Sequence, residues 1–597
     1  MAVSPLAGSD GDLFVSITSD GTVVAAREAI VSVEVTHAAN RVPFARLVLL
    51  DDSDTDPAKH LALSDAALLK PGANIEIMAG YGDAADSIFQ GIVVRHGVRV
   101  GAAGQSRLVV DCRDAAVKMT AVRKCANYID SKDSDIFGKL AQAYGLTAAV
   151  TATTVQHKEL VQYDVTDWDF MLARAEANGF VVLAGGGTLT LAKPATDGEA
   201  VLKVEYGVDL HEFDADVDAR ALFAAVSGVA WDPATQAVIQ ETAQPPTLNA
   251  QGDLDAATLA AVLGAGTLNL RSSTPLDAEG LKAWSAARQL KAGLARVRGR
   301  MRFRGSALAR PGKLVKVDGV GKRFAGNAWL SAVTQMIASG DWITDAEFGM
   351  APETLAERNP LATPLAAGLT AGVAGLQVGV VTKLDEDPAQ EYRVQVSLPV
   401  TQAETAGVWA RLATGYGSSG NGHFFIPEVG DEVLLGFLDS DPSHPIILGS
   451  LYSSKRKPAY EPAAENNTKA IVTRSLMKIE FDEDKKVITV TTPGNNKITL
   501  SDDGKSIELL DQNGNTVKLS PDGILIDSPK DITISAKGKI SVSAVGNVSV
   551  ESKADVTQTA MNVTHTANAG FTAKGTASAQ LQASGTTTIK GAMVMIN

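Results

Sequence analysis

Cysteine is scarce: Cys112 and Cys125 are the only two in 597 residues, with no CxxC pair and no histidine at zinc-ligand spacing. That excludes a disulfide framework and a structural zinc site, and leaves two reduced thiols as the simplest reading. Basic residues are also short, with a formal net charge of −14 and a pI near 5.2. No run of Lys and Arg offsets this, so nothing supplies the field that draws in phosphate backbones, and nucleic acid is not an expected partner. The opening MAVSPLAGSD lacks the charged and apolar regions of a secretory signal. The expectation is a chain made in the cytoplasm without a signal peptide and carried outward by something else. Residues 361–381 are nearly free of charge, but Pro364, Gly368, Gly372, Gly375 and Gly379 break any spanning helix, so they read as a linker entering a strand.

Catalytic motifs are missing too. There is no G-x-S-x-G elbow, no HExxH and no P-loop. Gly415-Tyr416-Gly417-Ser418-Ser419-Gly420 spells G-x-G-x-x-G but precedes no helical pattern, so it reads as a loop of a β-module. Asp51, Asp52, Asp54 and Asp56 alternate like a calcium loop, yet Pro57 stands where glycine is needed and Leu63 where a bidentate Glu is needed. They read as a solvated acidic turn. No cofactor is expected, and the chain is expected not to be an enzyme.

What is present is β-pattern. At about 150 residues per domain the length suggests three to five domains. Two stretches echo one another: Pro71-Gly72 before alternating Ile75 and Ile77, then Phe89-Gln90-Gly91, against Pro311-Gly312 before Val315 and Val317, then Phe324-Ala325-Gly326. Each Pro-Gly turn can launch a strand whose alternate residues face inward, which predicts two related β-barrels in one chain. Helical patterns fall at 134–144, capped by Ser134, at 167–179, capped by Thr166, and at about 276–294. From 378 to 451 short strands built on Val394, Val396, Leu398, Val433, Leu435 and Phe437 fit a small Greek-key barrel of the OB type.

After Tyr452 the aromatics nearly vanish. Between 471 and 526, Pro493-Gly494, Asp503-Gly504, Asn513-Gly514 and Asp522-Gly523 mark hairpin turns at roughly ten-residue intervals. Beyond 531 an eight-residue period sets in. Apolar residues recur at positions one and three: Ile532/Ile534, Ile540/Val542, Val548/Val550, then Val556 and, after one seven-residue step, Val563 and Phe571. Such short units cannot bury their apolar side or pair their edges within one chain, whereas intertwined copies can. These residues are therefore the expected core of a trimeric β-helix or β-prism, with a single-chain solenoid as the rival architecture. His565 and Gln558 occupy third-position slots, where three copies would ring an axis able to hold water, an anion or a metal, unless the pattern flips outward there.

Three stretches carry a family resemblance. Trp409-Ala410-Arg411, Pro427-Glu428-Val429-Gly430-Asp431-Glu432-Val433 and Asp441-Pro442-Ser443-His444-Pro445 look like an OB signature, and Gln162-Tyr163 with Thr166-Asp167-Trp168-Asp169-Phe170 like a hub helix start. With the octads, the chain resembles the VgrG and phage baseplate spike proteins of contractile injection systems, which include phage-tail-like particles and type VI secretion. The resemblance implies a mainly β protein: hub 1–360 with two related barrels and helical insertions, linker 361–377, OB domain 378–455, linker 456–470 and trimeric spike 471–597. It further implies a homotrimer joined to a hexameric inner tube protein and to baseplate proteins. A PAAR-repeat-like tip protein would seat on Met593, Val594, Met595 and Ile596, unless these are the last layer of prism core, and the target membrane would be crossed transiently. The joint 453–470 is too short for an inserted enzyme, and the octads run to Gly591, so no appended effector is expected. The length favours a compact spike of a particle released outside the cell over a type VI spike. A trimeric tail fibre or adhesin, and less readily a cell-wall hydrolase spike, are the alternatives.

Overall fold

A computed structural model describes residues 2–7, 11–51, 61–82, 84–101, 106–358, 361, 363–401 and 407–596. The acidic turn at Asp52, Asp54 and Asp56 lies outside them. The chain divides into two compact units, Met1–Leu451 and Tyr452–Asn597.

In the first unit one 13-stranded sheet folds around two cores. Its first half runs, in spatial order, Ile30–Ala38, Phe44–Leu50, Ser106–Arg113, Ala84–Val100 and Asn74–Tyr81, with Leu13–Ser19 beyond. The second half repeats the order with Leu210–Val217, Val297–Arg304, Asp341–Phe348, Gly326–Ala338 and Leu314–Asp318. The Pro-Gly turns make the same bonds. Gly72 N–H donates to Val93 O at 2.8 Å and Val93 N–H to Ala73 O at 2.9 Å; Gly312 N–H donates to Leu330 O at 2.8 Å and Leu330 N–H to Lys313 O at 2.9 Å. Both glycines hold positive φ, +94° and +85°, where a Cβ is strained. A bulge between Val93 and Arg95 has its counterpart between Leu330 and Ala332. The Phe-x-Gly echo, in contrast, is two residues out of step. Gly91 lies opposite Ile75, and the residue in its place opposite Val315 is Ala328, not Gly326.

The halves are duplicated in pairing order as expected, but they are joined rather than separate. Strand Gly326–Ala338 pairs with Ile30–Ala38, from Ala332 opposite Ala38 to Ala338 opposite Ser32. Buried Val33, Val35 and Ile337 seal this junction. Among the described residues, hydrogen-bonded barrel closure is found in the OB module alone, formed by Gln377–Lys383, Val394–Ser397, Val408–Leu412, Pro445–Ser450 and Glu432–Phe437. Val381, Val394, Val396, Ala410, Val433, Leu435 and Ile447 fill that barrel.

Helices Asp133–Ala143, Asp167–Ala177 and Ala278–Leu294 accompany the sheet, with a short Ala256–Val262 that the sequence pattern did not suggest. Thr166 caps as expected, its Oγ1 accepting from Asp169 N–H at 3.0 Å. Ser134 does not cap. It lies inside a helix that begins at Asp133, and its own N–H donates to Thr153 Oγ1 at 3.1 Å.

In the second unit seven five-residue strands from Thr468–Val472 to Gly523–Asp527 form an antiparallel meander, each paired with the next. From 528 to 596 no residue joins a strand ladder; bends fall at 529–530, 537–538, 545–546, 553–554, 561, 568–569, 576–577, 584–585 and 592–593. Those bends keep the eight-residue period and its single seven-residue step.

Candidate functional site: buried charge and uncovered surfaces

The titratable clusters in the hub are tied off as structure. Asp133, 1% exposed, receives Arg174 Nε at 2.8 Å and Nη2 at 2.9 Å, Asn178 Nδ2 at 2.9 Å, and lies 3.1 Å from His157 Nε2. Burial works to raise its carboxyl, but the Arg174 bonds and charge, with Asn178 and His157, outweigh it and hold the group below the usual range. Asp167, at the next helix start, receives Lys124 Nζ at 2.7 Å, the Tyr144 hydroxyl at 2.6 Å and Gln162 Nε2 at 2.8 Å. Here too burial opposes, and the donors prevail. The motif Gln162, Thr166, Asp167, Trp168 and Phe170 is thus an anchor for the ribbon Arg123–Lys132/Gln156–Thr166, with Tyr163 left outside. His37 lies 2.9 Å from Ile88 O and 3.2 Å from Arg310 Nη1; burial first, then the guanidinium, lowers it to about 4, so it stays neutral. Among the described residues no three His, Cys, Asp or Glu side chains of one chain gather as a metal site.

The OB signature residues are turn-makers. Gly430 holds φ +84° with its N–H on Val381 O at 2.8 Å, and Asp431 Oδ2 accepts from Glu428 N–H at 2.9 Å. Asp441 Oδ1 accepts from Ser443 N–H at 2.8 Å and its Oδ2 lies 3.0 Å from His444 Nδ1. Trp409, Ala410 and Arg411 lie on the strand paired to Val394–Ser397. The G-x-G-x-x-G stretch ends in a two-residue hairpin, Gly417–Ser418 with Asn421–Gly422, and opens no helix. Just after it Phe424, 85% exposed, and Phe425 stand in solvent. No motif in the sequence marks this aromatic pair.

The unusual chemistry lies in what the single chain leaves bare. In the meander, cross-strand registers line up Ile471, Ile479, Val490, Ile498, Leu509, Val517 and Ile526 in one row. Phe481, Ile488, Leu500, Ile507, Leu519 and Ile524 form a second row beside it. Side chains alternate across a strand, so both rows share one face, and no second layer covers it. Its opposite face carries Lys478, Glu480, Thr489, Lys497, Thr499, Glu508 and Lys518. The octads are barer still. First-position Ile532, Ile540, Val548, Val556 and Val563 are 52–61% exposed, and third-position Ile534, Val542 and Val550 are 75–78% exposed. Phe571 is exposed with its ring stacked on His565, centroids 6.0 Å apart. Met593, Val594, Met595 and Ile596 are exposed as well.

The fold is that of a mainly β protein with a small closed barrel, and comparison with known proteins gives the family. Residues 10–339 match the Alg8 N-terminal domain, and residues 377–452 match the type VI secretion system/phage-baseplate injector OB domain. The first match takes in more than half of the sequence, and the chain belongs to the Alg8 N-terminal domain family. It is 38% identical over 68 residues to the type VI secretion system spike protein VgrG5 of Pseudomonas aeruginosa, covering 11% of this chain and 8% of that one. It is 31% identical over 90 residues to VgrG1c of the same organism, covering 14% and 12%. The matches thus span about a tenth of these spike proteins' own length. Among solved structures, a 43 kDa tail protein of prophage MuSo2 from Shewanella oneidensis aligns with a TM-score of 0.42 and 10% identity over 57% of this chain and 98% of that one. A Francisella PdpA–VgrG complex aligns at 0.38 and 10% over 87% and 90%.

Proposed function

We propose that this chain is the structural hub and central spike of a contractile, phage-tail-like injection system, working as a homotrimer and without catalysis. The observation that carries the reading is the second unit: a sheet with a continuous bare apolar face, followed by octads that make no strand ladder in their own chain. Buried backbone N–H and C=O groups need partners and apolar faces need cover, and two further copies supply both. Ile532, Ile534, Ile540, Val542, Val548, Val550, Val556, Val563 and Phe571 then form the spike core, with His565 ringing the axis beside Phe571. Met593, Val594, Met595 and Ile596 form the seat of a PAAR-repeat-like tip protein.

In this reading the duplicated half-sheets of the hub give three chains six similar positions, which suits a junction with a hexameric inner tube protein; baseplate proteins surround it. Sheath contraction supplies the work, and the spike transmits it across a target membrane. In this reading the chain reaches its target within the particle.

Solution mass by light scattering tests this. The full chain is expected at three times 62.2 kDa, and a chain ending after Glu461 is expected to associate more weakly. A full chain that stays at one copy at micromolar concentration would overturn the proposal.

A further inference from the structure

The duplication says more than that the two halves are alike. Inside the chain they meet at one junction, where Ile30–Ala38 pairs antiparallel with residues 332–338. Superposing the halves through their pairing registers puts Ala45 on Gly299, Leu47 on Met301 and Leu49 on Phe303. It puts Val33 and Val35 on Phe213 and Ala215, and Arg95 on Ala332 just past the shared bulge. The strand equivalent to Ile30–Ala38 is therefore Leu210–Val217, and the stretch equivalent to 332–338 is 95–101. In the internal junction these two elements pair. Their counterparts have no strand on that edge among the described residues: Leu210–Val217 ends the sheet, and beyond its bulge Ala84–Val100 is paired on the Ser106–Arg113 side alone.

We propose that the open edge of Leu210–Val217 in one copy pairs antiparallel with residues 95–101 of the next copy, in the register the internal junction already uses. This rests on the reading of a closed ring of copies and names the contact that closes it. The register sets His96 opposite Val217, Val98 opposite Ala215 and Val100 opposite Phe213. In the internal junction the matching core-side residues Val33, Val35, Gln335 and Ile337 are all buried, whereas Val100 is 71% exposed in the single chain and Phe213, Ala215 and Val217 are only partly covered. On the other face, where Thr36 and Thr334 hydroxyls meet at 3.0 Å inside the chain, the register sets Gly97 opposite Asp216 and Arg99 opposite Asp214.

Charge agrees with this pairing. The 95–101 edge carries Arg95 and Arg99, and Arg107 lies directly opposite Arg99 on the strand behind, a like-charge pair that an added acidic strand relieves. The Leu210–Val217 edge carries Glu212, Asp214 and Asp216. Asp218 is already held by Arg220 and Arg298 at 2.8 and 3.1 Å, while Asp214 is only 3.7 Å from an exposed Arg300. Arg99 to Asp214 is thus the pair the new contact forms.

The test is a cysteine pair in the full chain. A Cβ at Gly97 meets nothing nearer than 3.8 Å, so Gly97→Cys fits. Cys112 is buried, its thiol pushed up to about 12 by burial and then by Asp111, and exposed Cys125 is replaced by serine. Oxidised Gly97→Cys/Asp216→Cys is expected to give a covalent ladder ending at three chains on a denaturing gel, and either single variant one chain only. Arg99→Asp and Asp214→Arg, each added alone, are expected to cut the crosslink yield several-fold, and both together to restore it, which a folding defect would not do. A native mass of three chains without crosslinks overturns this junction and leaves the homotrimer standing. A native mass of one chain removes both. Single reversals that leave the yield unchanged overturn the charge pairing.

Discussion

Leu509→Asp separates a lone sheet from an assembled one. Leu509 lies in the middle of the first apolar row, opposite Ile498 and Val517, and remains 43% exposed. Full burial of a leucine is worth about 1.5–3 kcal/mol, so covering the remainder by other copies adds about 1 kcal/mol per chain and about 3 kcal/mol per trimer. The aspartate does far more than remove that gain. In a lone chain its carboxylate sits at the water surface, and the change stays within about 1 kcal/mol, as for other surface substitutions. In the assembled spike it places an unpaired charge from each chain in an apolar layer, at several kcal/mol each, enough to dissociate three chains at micromolar concentration. The assay is light scattering with thermal unfolding at two protein concentrations a hundredfold apart. The expected result is loss of the trimer and of the concentration dependence. A variant with wild-type mass and melting would refute the claim that this face is covered by copies.

The other predictions concern the first unit. Asp133→Ala leaves Arg174 without its buried partner and is expected to cost about 3–5 kcal/mol in urea unfolding. The Asp133 carboxyl titrates lower in the fold than when unfolded. Its contribution is therefore complete above the unfolded value of about 3.9, and is lost as pH falls through the lower folded value. A stability profile from pH 6 to pH 2 should show this step and lose it in Asp133→Asn. Thr166→Ala removes the cap of Asp167–Ala177 and is expected to cost about 1 kcal/mol, with Thr166→Ser restoring most of it. Gly72→Ala and Gly312→Ala each force a Cβ into a positive-φ turn and are expected to cost about 1–2 kcal/mol. The Gly312 change should be the larger, since its Cβ would meet Leu183 Cδ1 at 2.6 Å, while nothing lies within 4 Å at Gly72.

Much of this architecture was legible because its signals are local. The turns at Gly430 and Asp441 use residues that only a tight bend requires, which is why the OB module stands out. Thr166 and the Xaa-Gly turns of the meander act within a few residues of themselves. The Pro-Gly echo located the duplication, but Phe-x-Gly misled by two residues, because strand register is fixed across the sheet, by Gly91 facing Ile75 and Ala328 facing Val315, and not along the sequence. Ser134 looked like a cap by composition, yet Thr153 and the tethered Asp133 set the helix start one residue earlier. The join between Ile30–Ala38 and 332–338 has no local signature, since nothing near Ser32 indicates that Ala338 will lie opposite it. Nothing local to Phe424 and Phe425 marks them as exposed, since whether an aromatic faces a barrel core or solvent depends on the strands around it.

The most direct measurement is amide hydrogen exchange of the full chain across residues 532–590. A lone chain offers these amides no strand partners, so they would exchange at rates near those of unfolded peptide. Intertwined copies would protect them with the eight-residue rhythm of the bends, and all would lose protection together on dissociation. Periodic, cooperative protection is the predicted result; uniform fast exchange in the intact protein would contradict the account.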